Sequence, residues 1–180
     1  MKGGNNMEAT IKKNEKEQEK KEIVTSHKKA IYSGTFDPIT NGHMDIIRRA
    51  ANIFDEVIIA VAKSERKKPM FSHKQRVKYT KASTKHLEGV KVIGFDTLLV
   101  DLASQLEINT IIRGLRAVSD FEYELQMGYA NSSINKKLET LYLMPTLENA
   151  FVSSTIVREI IRFDGKFCHL VPKEVLKCMS

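Results

Sequence analysis

From Ala30 onward the chain alternates short apolar runs with stretches whose apolar residues recur every three or four positions. The runs at residues 30–32, 57–62, 90–95, 110–112 and 140–144 are rich in Val, Ile and Leu and read as strands buried on both faces. Met44, Ile47, Ala51 and Phe54 share one face of an intervening helix. Ser72 followed by Gln75 has the form of a capping box opening the next helix, and Ser119 with Glu122 has the same form further on. Five strands separated by helices predict an α/β domain with a parallel sheet covered on both faces. In such sheets ligands bind beyond the carboxyl ends of the strands, so the polar segments that follow the strands are where chemistry is expected.

Residues 1–28 break the pattern. Their middle is almost entirely Lys, Glu, Asn and Gln, too polar to bury the surface that would repay ordering, and they read as a charged, flexible extension to a domain spanning residues 29–180. Formal net charge is +7, of which residues 1–29 supply +3. The remainder suits nucleic acid and small anionic substrates equally. No apolar run approaches the roughly 18 residues of a membrane helix, and the charged N-terminus lacks the apolar stretch of a secretory signal. Cys168 and Cys178 make neither a disulfide framework nor a four-ligand zinc site, and a reducing cytoplasm is the simplest setting.

Four segments carry candidate chemistry. Residues 34–43, Gly-Thr-Phe-Asp-Pro-Ile-Thr-Asn-Gly-His, run from the first strand into the first helix. Gly34 allows close backbone approach to a ligand, and Asn41 as N-cap would put His43 in the first helical turn, at a phosphate-ready terminus. A histidine there is also a common surface or packing residue. Residues 63–71 form a basic loop after the second strand, in which one lysine could grip a phosphate or all could be solvated. Arg113 and Arg116 flank Gly114 just past the fourth strand. Their forks suit phosphate oxygens, and Asp120, Glu122 and Glu124 could instead hold them in salt bridges. After the fifth strand, Ser153, Ser154 and Thr155 open a helix with Ile156, Ile160 and Ile161 available as its apolar face. Their hydroxyls serve either as caps or, with free backbone N–H groups, as a second phosphate cradle. Together these segments point to a polyphosphate ligand, and neither a P-loop nor a Gly-x-Gly-x-x-Gly fingerprint is present.

Thr40-Asn41-Gly42-His43 resembles the first signature of the nucleotidylyltransferase superfamily, and Ser153 to Arg158 resembles the second. Lys67-Lys68-Pro69-Met70-Phe71 and the segment from Arg113 to Glu124 are narrower and resemble bacterial phosphopantetheine adenylyltransferases over about residues 29–175. The resemblance implies a Rossmann-like, doubly wound domain that assembles as a homohexamer and moves AMP from ATP to 4′-phosphopantetheine with Mg2+. It implies that Thr35, Lys67, Leu99 and Arg113 contact the acceptor. It puts Thr35, Phe36, His43, Gly114, Leu115, Arg116, Glu124 and the stretch Asn149, Ala150, Phe151, Val152, Ser153, Ser154 and Thr155 around ATP. His43, Lys67 and Arg113 would be the catalytic residues. Ser33, Thr97 and the pair Asn149-Ala150 depart from the usual pattern at the pocket edges.

No Ser-His-Asp or Cys-His arrangement can be argued, and none is required if the nucleophile is an ionised phosphate. A nucleotidylyltransferase with another acceptor is the nearest rival. A basic nucleic-acid-binding protein is a remote one, because no helix-turn-helix, zinc finger or interleaved aromatic pattern accompanies the basic runs. No dedicated metal cage is expected.

Overall fold

The computed structural model describes residues 27–64, 68–116 and 118–179, with backbone only at 118–120 and 179. The charged extension, apart from its last two residues, and Lys67 in the basic loop lie outside the described residues. Strands β1 (Lys29–Gly34), β2 (Glu56–Ala62), β3 (Val90–Phe95), β4 (Thr110–Gly114) and β5 (Glu139–Leu143) form one sheet in the order β3-β2-β1-β4-β5. Every pairing is parallel, with Tyr32 opposite both Ile59 and Ile112. The helices are α1 (Asn41–Ala51), α2 (His73–Thr84), α3 (Leu99–Gln105), α4 (Val118–Ile134), α5 (Ser154–Arg162) and α6 (Lys173–Met179).

The two-residue period of a strand divides its side chains between two cores. Ala30, Tyr32, Val57, Ile59, Val61 and Ile112 pack with Met44, Ile47, Tyr79, Val157 and Val175 on one face. Ile31, Ile58, Ala60 and Ile111 pack with Val100, Leu102, Ala103 and Leu138 on the other. This is the doubly wound, Rossmann-like arrangement.

Helix boundaries show what the pattern could not resolve. The N-cap of α1 is Thr40 rather than Asn41. Its hydroxyl accepts from His43 N while the His43 ring accepts from Thr40 N, so the capping-box partner is a histidine and not the usual Glu or Gln. Asn41 turns outward and donates to the His169 carbonyl at 2.9 Å. Ser72 and Gln75 do form the reciprocal box. Helix α4 already includes Val118, ahead of the expected cap at Ser119, whose side chain is outside the described residues. In α5 the buried residue is Val157, while Ile156 faces outward and Ile160 and Ile161 are half-buried. Gly114 and Arg113 close β4 rather than following it.

Helix α2 buries an unusually polar face: Arg76, Thr80, Ser83 and Thr84. Each hydroxyl is satisfied within the helix, Thr80 by Arg76 O, Ser83 by Tyr79 O and Thr84 by Thr80 O, all at 2.8–2.9 Å.

Gly89 enters β3 at φ +68, and a Cβ there would lie 2.5 Å from the Asp55 carbonyl oxygen. Gly89→Ala therefore incurs both a left-handed backbone penalty and a backbone clash. It should lower stability by about 2 kcal/mol or more in urea titrations, and turnover per folded molecule should stay unchanged because the residue sits at the strand edge opposite the site.

Candidate active site

The strand order reverses between β1 and β4, and a crevice opens beyond their carboxyl ends, as the topology requires. A cavity of about 320 Å³ lies there, walled by residues 32–37 at the end of β1 and just beyond it, the start of α1, the end of β4 and the start of α5. A second cavity of about 210 Å³ shares Ser33, Gly34, Thr35, Arg113 and Glu124 with the first and extends to Leu99, Met127, Asn131 and Thr140.

The 34–43 segment builds the first wall. Gly34 is needed less for a ligand than for Phe36, whose ring atoms would lie only 3.0–3.3 Å from a Cβ at Gly34. Phe36 adopts φ +48, costly for a bulky residue, and its ring meets Tyr32 and His43 edge-on at centroid distances of 5.5 and 5.0 Å. His43 is thus held by an aromatic on one side and by its own helix cap on the other. Nδ1 lies 3.1 Å from the Thr40 N–H and must accept that bond, so the neutral ring carries its proton on Nε2. Burial, followed by Arg116 and Arg113, pulls the His43 pKa from 6.5 to about 3. This imidazole is a neutral hydrogen-bond donor and cannot act as a general acid near pH 7.

Arg113 and Glu124 form the wall common to both cavities. The guanidinium donates to both carboxylate oxygens, at 2.6 and 2.5 Å, and to the Ser33 carbonyl at 2.7 Å. Burial works against the Arg113 charge, but the hydrogen bonds it donates to Glu124, together with that carboxylate's charge and the electrostatic pull of Tyr32 and Tyr123, outweigh it and the net shift is upward. The salt-bridge reading of this segment is therefore correct for Glu124. Ser33, which stands where the resembling family often has proline, supplies a further acceptor through its hydroxyl at 3.2 Å. Tyr32 lies beneath, its hydroxyl kept protonated by burial.

At α5 the hydroxyls are already committed. Ser153 caps Ile156 N at 3.1 Å, and Ser154 donates to the Pro38 carbonyl at 2.8 Å. Any cradle at this terminus is therefore made by backbone N–H groups rather than by the two serines. Arg158 donates to the Asp37 carbonyl at 2.8 Å and lies 3.5 Å from its carboxylate. Asp37, 2% exposed, also accepts from Met70 N and Phe71 N.

Of the expected site residues, Thr35, Phe36, His43, Arg113, Gly114, Arg116, Glu124, Val152, Ser153, Ser154 and Thr155 line the larger cavity, and Leu99 lines the smaller with Thr35 and Arg113. Leu115, Asn149, Ala150 and Phe151 line neither. Leu115 N is paired with the Leu143 carbonyl at 3.0 Å, and Phe151 points to solvent. Thr97 is exposed and lines neither cavity. Lys67 lies outside the described residues, and Lys63 and Lys68 are exposed and line neither cavity. Asp37, Tyr32 and Arg158 join the site without having been singled out. Arg158 could have been found, since it ends the Ser153 to Arg158 signature. Among the described residues no group of three or more His, Cys, Asp or Glu could hold a metal ion.

Residues 31–160 match the cytidylyltransferase-like family model, a class consistent with this fold and its crevice at the strand ends. The chain is 60% identical over 150 residues to a phosphopantetheine adenylyltransferase from Campylobacter concisus, covering 83% of this chain and 96% of that one. It is 64% identical over 144 residues to the protein of that name from Helicobacter hepaticus, covering 80% and 87%. The chain belongs to the phosphopantetheine adenylyltransferase family. Among solved structures, a Vibrio parahaemolyticus protein assigned as a nicotinate-nucleotide adenylyltransferase superposes with TM-score 0.67 at 17% identity, covering 85% of this chain and 99% of that one, which supports the fold.

With a folded-state pKa near 3, His43 should show side-chain 15N shifts of the neutral Nε2–H tautomer throughout the pH range where the protein is folded. Its unfolded form takes up a proton below 6.5, so its contribution to stability is complete above that pH and is lost as pH falls toward 3. A titration midpoint near 6.5 in the folded protein would contradict this.

Proposed function

We propose that this protein transfers AMP from ATP to 4′-phosphopantetheine, releasing pyrophosphate and forming dephospho-coenzyme A. The observation that carries the reading is the pair of adjoining cavities sharing the Arg113–Glu124 wall, with His43 and the α5 terminus on the larger one. Such a pair suits two anionic substrates that must meet at one phosphorus atom. In this reading ATP occupies the larger cavity, and the acceptor occupies the smaller, near Leu99. There the Thr140 hydroxyl, buried and without a hydrogen-bond partner, is available to the amide-bearing arm.

The acceptor phosphate is dianionic or nearly so at neutral pH, because its second ionisation falls near pH 6. One of its oxygens attacks the α-phosphorus, a new P–O bond forms and the bond to the β-phosphate oxygen breaks, with the electron pair leaving on pyrophosphate. No proton needs to be removed from the nucleophile. Catalysis then rests on positioning and on donors aimed at the charge that develops. The Nε2–H of His43 serves as one donor. Arg113, oriented by Glu124, and Lys67 offset repulsion between the two phosphates. Arg116 and the first-turn N–H groups of α5 hold the departing pyrophosphate. Magnesium carried by the triphosphate would supply charge neutralisation there, and Arg113 and Arg116, which line the larger cavity, would share that role.

The apolar surface left on α4 and β5 favours self-association: Phe121, Tyr123, Met127, Tyr129 and Ile134 are exposed on α4, and Leu141 on edge strand β5. We take the hexamer implied by family resemblance as the assembly, and a cytoplasmic setting suits its two unpaired cysteines.

The experiment is pyrophosphate release from MgATP with and without 4′-phosphopantetheine, with nicotinamide mononucleotide as a parallel acceptor. Release with 4′-phosphopantetheine only, accompanied by dephospho-coenzyme A, is expected. Release with the other acceptor only would overturn the substrate. His43→Ala should lower kcat by about a hundredfold or more with little change in KM. Light scattering of the purified chain should give a mass near six protomers, and Tyr129→Glu together with Leu141→Glu should reduce it.

A further inference from the structure

One buried charge has no part in the reaction as described so far. Arg76, on the inner face of α2, is 1% exposed and lines neither cavity. Its guanidinium donates to four main-chain carbonyls: Nε to Phe71 at 3.0 Å, Nη1 to Thr35 at 2.5 Å and to Ala62 at 2.7 Å, and Nη2 to Lys63 at 2.8 Å. These carbonyls come from three places in the chain, namely the loop after β1, the end of β2 with its following residue, and the turn into α2. Among the described residues no carboxylate hydrogen-bonds to it. Asp37 lies near enough to favour its charge, and that carboxylate is itself engaged by Met70 N, Phe71 N and Arg158.

Only arginine among the side chains has five N–H groups in a fixed planar fork, and lysine offers three. Four converging carbonyls are an arrangement that arginine alone satisfies. The consequence for chemistry follows from peptide planarity. In a trans peptide the carbonyl and the next residue's N–H point in opposite directions. With the Thr35 carbonyl drawn inward to Arg76, the Phe36 N–H is turned away from that carbonyl, and both Thr35 and Phe36 line the larger cavity. Phe36 itself sits at φ +48, a conformation that persists only where neighbours enforce it.

We propose that Arg76 is a positioning residue: by pinning the Thr35 carbonyl and the 62–63 backbone from behind, it aims the Phe36 N–H and the Thr35 hydroxyl at the phosphoryl group being transferred, and fixes the base of the loop that carries Lys67. The proposal rests on the adenylyl-transfer reading above.

The test compares Arg76→Met, Arg76→Lys and a distant core variant, Ile108→Ala, which thins the opposite face of the sheet. Each is assayed with MgATP and 4′-phosphopantetheine at the same interval below its own Tm. Arg76→Met should lose about 30-fold or more in kcat with KM for both substrates within about threefold, the signature of misaimed donors. Arg76→Lys, which keeps the positive charge but not the planar fork, should recover part of that loss. Ile108→Ala should show a lowered Tm and an unchanged kcat. If Arg76→Met does not fold, Arg76→Lys decides, and a kcat loss of about fivefold or more at constant KM is expected. A kcat for the folded arginine variants equal to that of the parent, or a loss matched by Ile108→Ala, would overturn the role and leave Arg76 as scaffold. A parent protein silent with this acceptor would instead overturn the substrate reading, a result distinguishable from the first.

Discussion

A parallel sheet ends in main-chain carbonyls that have no further strand to pair with, and the loops that turn away from it must dispose of them. Here a single guanidinium answers three such carbonyls at the ends of β1 and β2, those of Thr35, Ala62 and Lys63, and a fourth, that of Phe71, in the turn into α2. A neutral side chain in that position would strand several buried acceptors, each costing about 1–3 kcal/mol. Burial of the arginine is tolerable only because every direction in which it points meets an oxygen. The loops after β1 and β2 are therefore not independent appendages of the scaffold, and the groups they present to the crevice share one anchor. Asp37 extends the same logic one layer outward, binding the loop that ends at Phe71 through two N–H groups and α5 through Arg158.

The reactive surface is assembled from groups that each satisfy a structural need first. His43 caps its own helix with Nδ1 and is thereby left with a proton on Nε2. Ser153 and Ser154 spend their hydroxyls on the cap of Ile156 N and on the Pro38 carbonyl, which commits both side chains to the scaffold. Arg113 is gripped by Glu124 before any anion arrives. Preorganisation of this kind suits phosphoryl-type transfer, where the protein's contribution is position and field rather than proton abstraction.

Much of the fold could be read from the chain because parallel strands covered on both faces must be apolar throughout, and 57–62 stands out for that reason, whereas 90–95 and 140–144 fall in the edge strands β3 and β5 and are only partly buried, against the expectation of burial on both faces. The crevice was legible because its residues follow those strands directly. Other features were hidden for specific reasons. Thr40 and Asn41 are both good caps, and the box partner was a histidine, which the usual pattern does not include. The inner face of α2 is polar, its hydroxyls closing on carbonyls one turn back, so no apolar period marks it. An arginine on such a helix reads as surface, since charged residues are almost never fully buried without partners, and here the partners are carbonyls with no side-chain signature. Asn149, Ala150 and Phe151 do not line the cavity, because that stretch turns through a short 3-10 helix, Leu147–Asn149, before reaching the cavity at Val152.

The wall between the two cavities carries a further implication. Arg113 and Glu124 face both chambers, so a ligand in either one alters the electrostatic environment met by the other. Any change in the pair's hydrogen bonding on occupancy of one chamber is a coupling free energy, and thermodynamic reciprocity makes it identical in both directions. A ligand that reshapes this ion pair from one chamber is thereby felt in the other, with the same coupling in either direction.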